Sequence, residues 1–250
     1  MGLFSRIIDA GGEYRVTLAA VEDSLFLDRG SRSAKLSQYW VLLVLASVIG
    51  AGGVIGDSTP AVIGAMIVAP LATPIYGIAL ATVIGSRRDL RNALVLLVAG
   101  IAVDILIGLL MARLTFDRMP IEVNPQILTR TAPAILDLIV AIAVGFAGAF
   151  ALVRRDVASI LAGVAIAISL VPVLEVVGIA LGSGRLDLAW GAFLLFLTNA
   201  AAIIVTGVVV FTAAGYGTVA VERALPRTGR SAIPVSHPSH LLAPWLPRRT

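Results

Sequence analysis

The chain has no cysteine, and its two histidines, His237 and His240, lie close together in a polar tail. That excludes disulfides, thiolate metal sites, cysteine nucleophiles and a lipoprotein anchor. Charge is scarce too. Asp, Glu, Lys and Arg make up 14% of the 250 residues, where a soluble domain carries roughly 25% to cover its surface. The sequence is instead apolar, with 58% hydrophobic residues and a mean hydropathy of +0.98. This composition is that of an integral membrane protein. The net charge of +4 does not point to nucleic acid, because the acid-free tail from Pro226 onward holds Arg227, Arg230, Arg248 and Arg249 and leaves the remainder neutral. A basic tail beside a membrane meets anionic headgroups.

A hydrocarbon layer of about 30 Å demands about 20 apolar residues per helix, and six predominantly apolar stretches of roughly that length, free of Lys and Arg, occur: 40–56, 60–85, 93–112, 133–153, 157–181 and 188–212. The expected fold is all-α, a polytopic membrane bundle of six transmembrane helices over 40–215, with an amphipathic segment 1–39 before it and a basic, proline-rich disordered tail 216–250 after it. Arg6, Asp9, Glu13, Arg15, Glu22, Asp23 and Asp28 break up the first 39 residues, so no apolar core of secretory length precedes the first span, which is expected to be retained. Cytoplasmic loops carry the excess of lysine and arginine. With the N-terminus inside, fifteen basic residues fall on the inner side and four, Arg113, Arg118, Arg130 and Arg185, on the outer. Both termini are therefore expected in the cytoplasm, in a cell (inner) membrane.

Spans two and five are long and contain proline: Pro70 and Pro74 in one, Pro172 in the other. Proline lacks an N–H and displaces the carbonyl four residues earlier, so Met66, Pro70 and Ile168 are expected to lose their helical partners. In lipid those oxygens need another donor, water or an ion. A simple kink repaired by Ser169 or Thr73 is the alternative. Gly77-Ile78-Ala79-Leu80 returns as Gly178-Ile179-Ala180-Leu181, so the broken spans match at an offset of 101 to 102 and suggest a 3+3 inverted repeat. At the start of span two, Asp57, Ser58 and Thr59 precede Pro60, which reads either as a helix cap or as an entrance for a cation or polar solute.

An ionisable group inside a span is a functional hypothesis by default. Asp104 is twelfth in the third span, Glu175 lies three residues past Pro172, and Asp137 sits close to an interface. Asn199 reaches a depth like that of Asp104. Asp104, Asn199, Ser169, Thr73 and the proline-freed carbonyls are expected to share one layer, with Glu175 slightly above. No Lys, Arg or His lies within a span to pair the acids, so each must be protonated, reach water or bind a cation. Small residues at four-residue spacing, such as Gly145 and Ala149 or Gly178 and Gly182, support close helix contact.

The run Asp57-Ser58-Thr59-Pro60-Ala61-Val62-Ile63-Gly64-Ala65-Met66-Ile67-Val68-Ala69-Pro70-Leu71, followed by Pro74-Ile75, resembles the signature of an uncharacterised bacterial membrane family, domain of unknown function 389. Pro133 to Asp137, Gly145 to Ala149, Gly163 to Pro172 and Phe196-Leu197-Thr198-Asn199 agree with it. The resemblance implies a multi-spanning inner-membrane protein with no established substrate. Two departures stand out: Pro172-Val173 where the family shows paired prolines, and Glu175 where it shows a small apolar residue.

The expected function is a transporter or channel-like permease for a small polar or ionic solute, through Asp57, Ser58, Pro70, Thr73, Pro74, Asp104, Ser169, Pro172, Glu175 and Asn199. The alternative is a non-transporting oligomeric scaffold or stress-response subunit. An enzyme is not expected, for want of an intramembrane histidine or cysteine; nor are a cofactor, a metal site or a nucleic-acid partner. Lipid, further copies of the chain and a small solute or cation are the expected partners.

Overall fold

The computed structural model describes residues 14–115, 121–160 and 170–224. Among them are ten α-helices, two short 3-10 turns and one isolated bridge between Arg15 and Arg154. The helices are α1 (Leu18–Leu25), α2 (Arg32–Ile55), α3 (Thr59–Val68), α4 (Ala72–Ile84), α5 (Arg87–Leu114), α6 (Pro125–Leu128), α7 (Ile135–Val153), α8 (Leu170–Gly182), α9 (Leu186–Ala213) and α10 (Tyr216–Ala224). Four of these, α2, α5, α7 and α9, are long and apolar enough to cross a membrane, and α3 with α4 makes a fifth if the bent pair counts as one span. The fifth expected span, 157–181, is described only in part. Its described helical part, α8, has 13 residues and reaches only about 20 Å at 1.5 Å per residue. Ser169 and the Gly163 to Ile168 stretch lie outside the described residues, as do the start of the amphipathic segment, residues 1–13, and the tail from Pro226.

The expected break in span two is real, and its chemistry is local. α3 stops at Val68 because Ala69 is extended, with φ −67° and ψ 127°, as the residue before a proline prefers. The axis turns by 42° before α4 resumes. Pro74 then falls in the first turn of α4, where a missing N–H costs little. One expectation fails here: the Pro70 carbonyl is not stranded, because the Thr73 amide donates to it at 3.1 Å.

The direction of each helix follows from its side contacts. Tyr39 meets Gly100, and Ser47 meets Asp104, so α2 and α5 run parallel. Gly178 packs on Ile105 and Leu109 and Gly182 on Leu109 and Ala112, which makes α8 parallel to both. Against them run α4, α7 and α9. Thr131 touches Gly191 and Ile203 touches Gly145, while Gly207 presses on Tyr76 and Ala79 and Gly217 on Val83. The two short helices take the centre: Pro74 to Ala81 of α4 and Leu170 to Ala180 of α8 are all buried. The long helices turn apolar side chains outward, among them Val41, Leu45 and Val48 on α2, Val95 and Val98 on α5, Ile135 and Ile139 on α7, and Val205 and Val209 on α9. Outward valine, leucine and isoleucine around a buried core is the arrangement lipid requires.

One end of the bundle is tied by charge. Arg29 bridges Glu22 at 2.6 Å and Asp89 at 2.8 Å and lies over the Phe26 ring at 4.8 Å, fixing α1 beneath the start of α5. At the same end Arg15 donates to the Ala214 carbonyl, and the Tyr216 hydroxyl donates to Val16 at 2.8 Å. Burial pushes the Tyr216 phenol up to about 12, so it stays a donor at any working pH. Tyr216→Phe removes that hydrogen bond while keeping the ring, and about 1 kcal/mol of stability should be lost, read as a small fall in melting temperature in detergent.

Candidate functional site

The buried polar groups gather on a seam between α2, α5 and α8. On α5, residues Asp89, Ala93, Leu97, Gly100, Asp104, Gly108 and Ala112 are buried at three- and four-residue spacing and form one face. Asp104 is the polar member at its middle, wholly buried. The Ser47 hydroxyl on α2 hydrogen-bonds to its Oδ1, while Oδ2 has no partner. Ser47 also bonds the Leu43 carbonyl at 2.8 Å, which fixes its rotamer.

Glu175 projects from α8 into the same seam and is also wholly buried. Glycine makes room for it on both sides. A Cβ on Gly50 would collide with the Glu175 carboxyl, and one on Gly108 would lie 2.6 Å from the Glu175 carbonyl oxygen. The Ala51 amide is close, but it sits inside α2, and neither carboxyl oxygen meets a hydrogen-bond partner of ordinary geometry among the described residues. Ser47 and Gly50 are one turn apart on α2, about 4.5 Å of rise, so the two acids face the same short stretch of helix. They lie within electrostatic reach of each other.

The seam continues toward both ends. Toward α1, the Tyr39 hydroxyl is buried without a partner, 2.7 Å from where a Gly100 Cβ would stand, and within electrostatic reach of Asp104. Toward the opposite end, Arg130 lies within electrostatic reach of Glu175. Arg130 Nη1 donates to Gln126 O at 2.7 Å and to Gln126 Oε1 at 2.9 Å, and the Gln126 amide holds Thr59 at 3.0 Å. Asn124 donates to the Val54 carbonyl at 2.8 Å. The segment around α6 therefore covers the end of α2 and carries Arg130 over the acids. The charged end near α1 holds a cavity of about 230 Å³ between α2 and α5, lined by Phe26, Asp28, Arg32, Trp40, Asp89 and Asn92 among others.

Several sequence-predicted residues lie elsewhere. Asn199 is buried on α9 with its amide oxygen unpartnered, but what the acids meet comes from α2 and the loop after α6 rather than from α9. Thr73 is half-buried and bound into the turn at Pro70. Asp57 is exposed in a left-handed turn at φ 46°, and Ser58 is the N-cap residue of α3 without a side-chain cap bond. Neither the cap chemistry nor an entrance is visible there. Asp137 caps α7 through the Ala134 amide at 2.8 Å. Pro172 is buried in α8. The acids lie on α5 and α8, not at the break beside Pro70.

Sequence reasoning missed Tyr39, Ser47 and Arg130. Ser47 was detectable as the polar member of the α2 stripe Leu43, Ser47, Gly50 and Val54. Arg130 was assigned to the outer loop and so not considered as a partner for an acid.

Tyr76 on α4 occupies a setting like that of Glu175. Its hydroxyl donates to the Gly145 carbonyl at 3.1 Å, and a Cβ added at Gly207 would stand 3.4 Å from its ring. Glu175 sits between Gly50 and Gly108; Tyr76 sits between Gly145 and Gly207.

The profile of a family described as Domain of unknown function (DUF389) matches residues 66–205, more than half of the chain. The chain belongs to this family. An uncharacterised protein of Methanocaldococcus jannaschii is 30% identical over 176 residues, covering 70% of this chain and 53% of the relative. The chain thus spans about half the length of that relative, which is archaeal, so the likeness is not confined to bacteria. No solved structure matches. The profile match takes in Asp104, Glu175 and Asn199 and leaves Tyr39, Ser47 and Asp57 before its first residue.

Proposed function

We propose that this family member is a membrane permease for a small ionic or polar solute, with a path along the α2–α5–α8 seam. The observation that carries the reading is the pair Asp104 and Glu175, two wholly buried carboxyl groups with three oxygens left unpartnered. A polar group left so in a membrane core costs several kcal/mol, and a sequence need not keep it for packing. The cavity near α1 supplies a vestibule, Tyr39 continues it inward, the acids form the middle and Arg130 faces the far end. Basic residues favour the α1 end over the other: Arg15, Arg29, Arg32, Lys35, Arg87, Arg88, Arg91, Arg154 and Arg155 against Arg113, Arg130 and Arg185. That bias supports cytoplasmic termini in an inner membrane.

A six-crossing, 3+3 inverted plan is supported by direction. α7 and α9 run parallel, so the chain between Val153 and Leu186 has to return across the bundle, and α8 is part of that return. The two glycine settings support the same plan: Glu175 with Tyr76 and Gly108 with Gly207 are each 99 residues apart, and Gly50 with Gly145 is 95 apart. Under it Glu175 and Tyr76 are counterparts, and only one half carries the acids. Inverted repeats are a common transporter plan.

The test is flux in vesicles reconstituted with the full chain, using proton, sodium and potassium gradients as probes. Glu175→Gln and Asp104→Asn should each lower a flux seen with the parent by roughly tenfold or more, given the role membrane acids play in such paths. Parental flux in both variants, or none in the parent, removes the reading.

A second reading, an oligomeric scaffold, is favoured by Gly52 and Gly64, where an added Cβ would meet nothing within 4 Å. Small residues facing outward suit contact with a second copy.

A further inference from the structure

We infer that the ion taken up by the Asp104–Glu175 pair is a bare proton and not a metal cation. The inference deepens the permease reading and rests on it for passage across the bundle, while the occupancy of the site stands apart from it.

The donor set decides. Calcium takes six to eight oxygens and magnesium a near-ideal octahedron. Here the oxygens at hand among the described residues are two carboxyl groups and the Ser47 hydroxyl, about five oxygens and fewer than either ion requires. No third Asp, Glu, His or Cys joins them among the described residues. Asp104, Glu175 and Ser47 all sit within helices, and among the described residues the carbonyls of α2 and α5 beside them are engaged along the helix axis.

Space points the same way. Gly50 faces the Glu175 carboxyl so closely that a Cβ there would overlap it, while Gly108 closes on the Glu175 backbone. A hydrated cation is larger than that Cβ. A proton needs no volume, only a carboxyl oxygen to hold it.

The surroundings of the pair are sparse in charge. On α2 they are Ser47 and the Tyr39 hydroxyl; on α5, Asp104; and after α6, Arg130. α3 carries no ionisable side chain, and α9 only Asp187, which pairs with Arg185 at 2.8 Å. Arg130 can offset at most one negative charge, so two ionised acids would leave one buried and unbalanced. A shared proton settles that. Whichever of the two acids holds it, the pair keeps one negative charge before and after any exchange, which Arg130 offsets. Tyr39, buried and without an acceptor, lies on the cytoplasmic side of this exchange.

Infrared difference spectra of the full chain in phosphatidylcholine vesicles at neutral pH test the inference without any flux. The carbonyl stretch of a protonated carboxyl should be present in the parent and smaller by one carboxyl in Glu175→Gln. It should shift in Ser47→Ala, which removes the hydrogen bond to Asp104. Raising sodium, potassium or calcium at fixed pH should leave it unchanged. Subtraction against the variants removes Glu22, Asp89 and the other acids near α1. Should Glu175→Gln fail to give a monodisperse protein, Asp104→Asn is read in the same way. Identical spectra in parent and variants overturn the inference, and so does a band that fades as any of the three cations is added. A band that behaves as expected in vesicles that pass no ion removes the permease reading and leaves the proton site.

Discussion

Gly108→Leu should abolish the folded bundle, whereas Gly64→Leu should leave it intact. At Gly108 the first added carbon meets backbone: the Glu175 carbonyl oxygen at 2.6 Å and its Cα at 3.1 Å. Backbone cannot turn aside as a side chain can, so α5 and α8 must separate. Overpacking a tight core costs about 1–3 kcal/mol when neighbours can adjust, and more when they cannot. The cost here exceeds that range because the facing helix α8 also presents Gly178 at this contact, whose own Cβ would stand 3.0 Å from Gly108 Cα. Gly64 has open space at the same range, so its substitution reports helix propensity alone, favourable to leucine by up to about 1 kcal/mol. Size-exclusion profiles and melting temperatures in detergent separate the two. A monodisperse Gly108→Leu protein with the parent's melting point would show that α5 and α8 do not pack as described. Loss of assembly in Gly64→Leu with an intact monomer would instead favour the oligomeric scaffold.

Much of this architecture is legible in the residues, and the limits have physical causes. The long apolar runs that became α2, α5, α7 and α9 announce themselves because lipid tolerates no charge over that length. The break at Pro70 is equally direct, since proline acts on the bonds beside it. Asp104 and Glu175 stand out because an acid in an apolar run is costly wherever it points. Direction is what sequence hides. Thr73 is bound into the Pro70 turn, and Asn199 is buried on α9 with its amide oxygen unpartnered. Depth follows from counting along the chain; azimuth depends on which helices pack together. The repeat shows the same limit. Gly-Ile-Ala-Leu recurs at 101 to 102 residues, yet the contacts that match the halves fall at 95 and 99. The letters echo because small apolar residues suit any crowded helix, whereas the register is set by glycines that face the intruding side chains Glu175 and Tyr76. Arg130 was hidden for a further reason. Counting basic residues in loops assigns them a side of the membrane, but a loop that folds back over the bundle can bring its charge toward a buried acid.

Replacing Glu175 with leucine should make the protein more stable as it removes the proton site. The two side chains are similar in volume, and leucine ends before the point at which Glu175 crowds Gly50. Glu175 gains little from hydrogen bonding, since neither oxygen has a partner of ordinary geometry, and the Arg130 charge and the nearby Ala51 amide offset only part of the cost of desolvating it. Exchanging buried ionic groups for well-packed apolar ones is often stabilising by about 1–4 kcal/mol. The lower half of that range applies if the acid is already neutralised by a proton, because much of the penalty is then relieved. At about 2–4 °C per kcal/mol for a chain of this size, the melting temperature should rise by several degrees. Asp89→Leu supplies the contrast. Asp89 is equally hidden but shares Arg29 with Glu22 at 2.8 Å and 2.6 Å, and taking it away weakens a network that ties α1 to α5. Breaking such a pair costs about 3–5 kcal/mol when the remaining charge is buried, and less here because Arg29 keeps Glu22 and is 37% exposed. Asp89→Leu should therefore melt earlier than the parent and Glu175→Leu later. A lower melting point for Glu175→Leu would mean that its carboxyl holds the helices together, and the case for a group retained for its chemistry at the expense of stability would fail. Opposite signs from two buried acids would separate the one that ties the fold from the one kept for its proton.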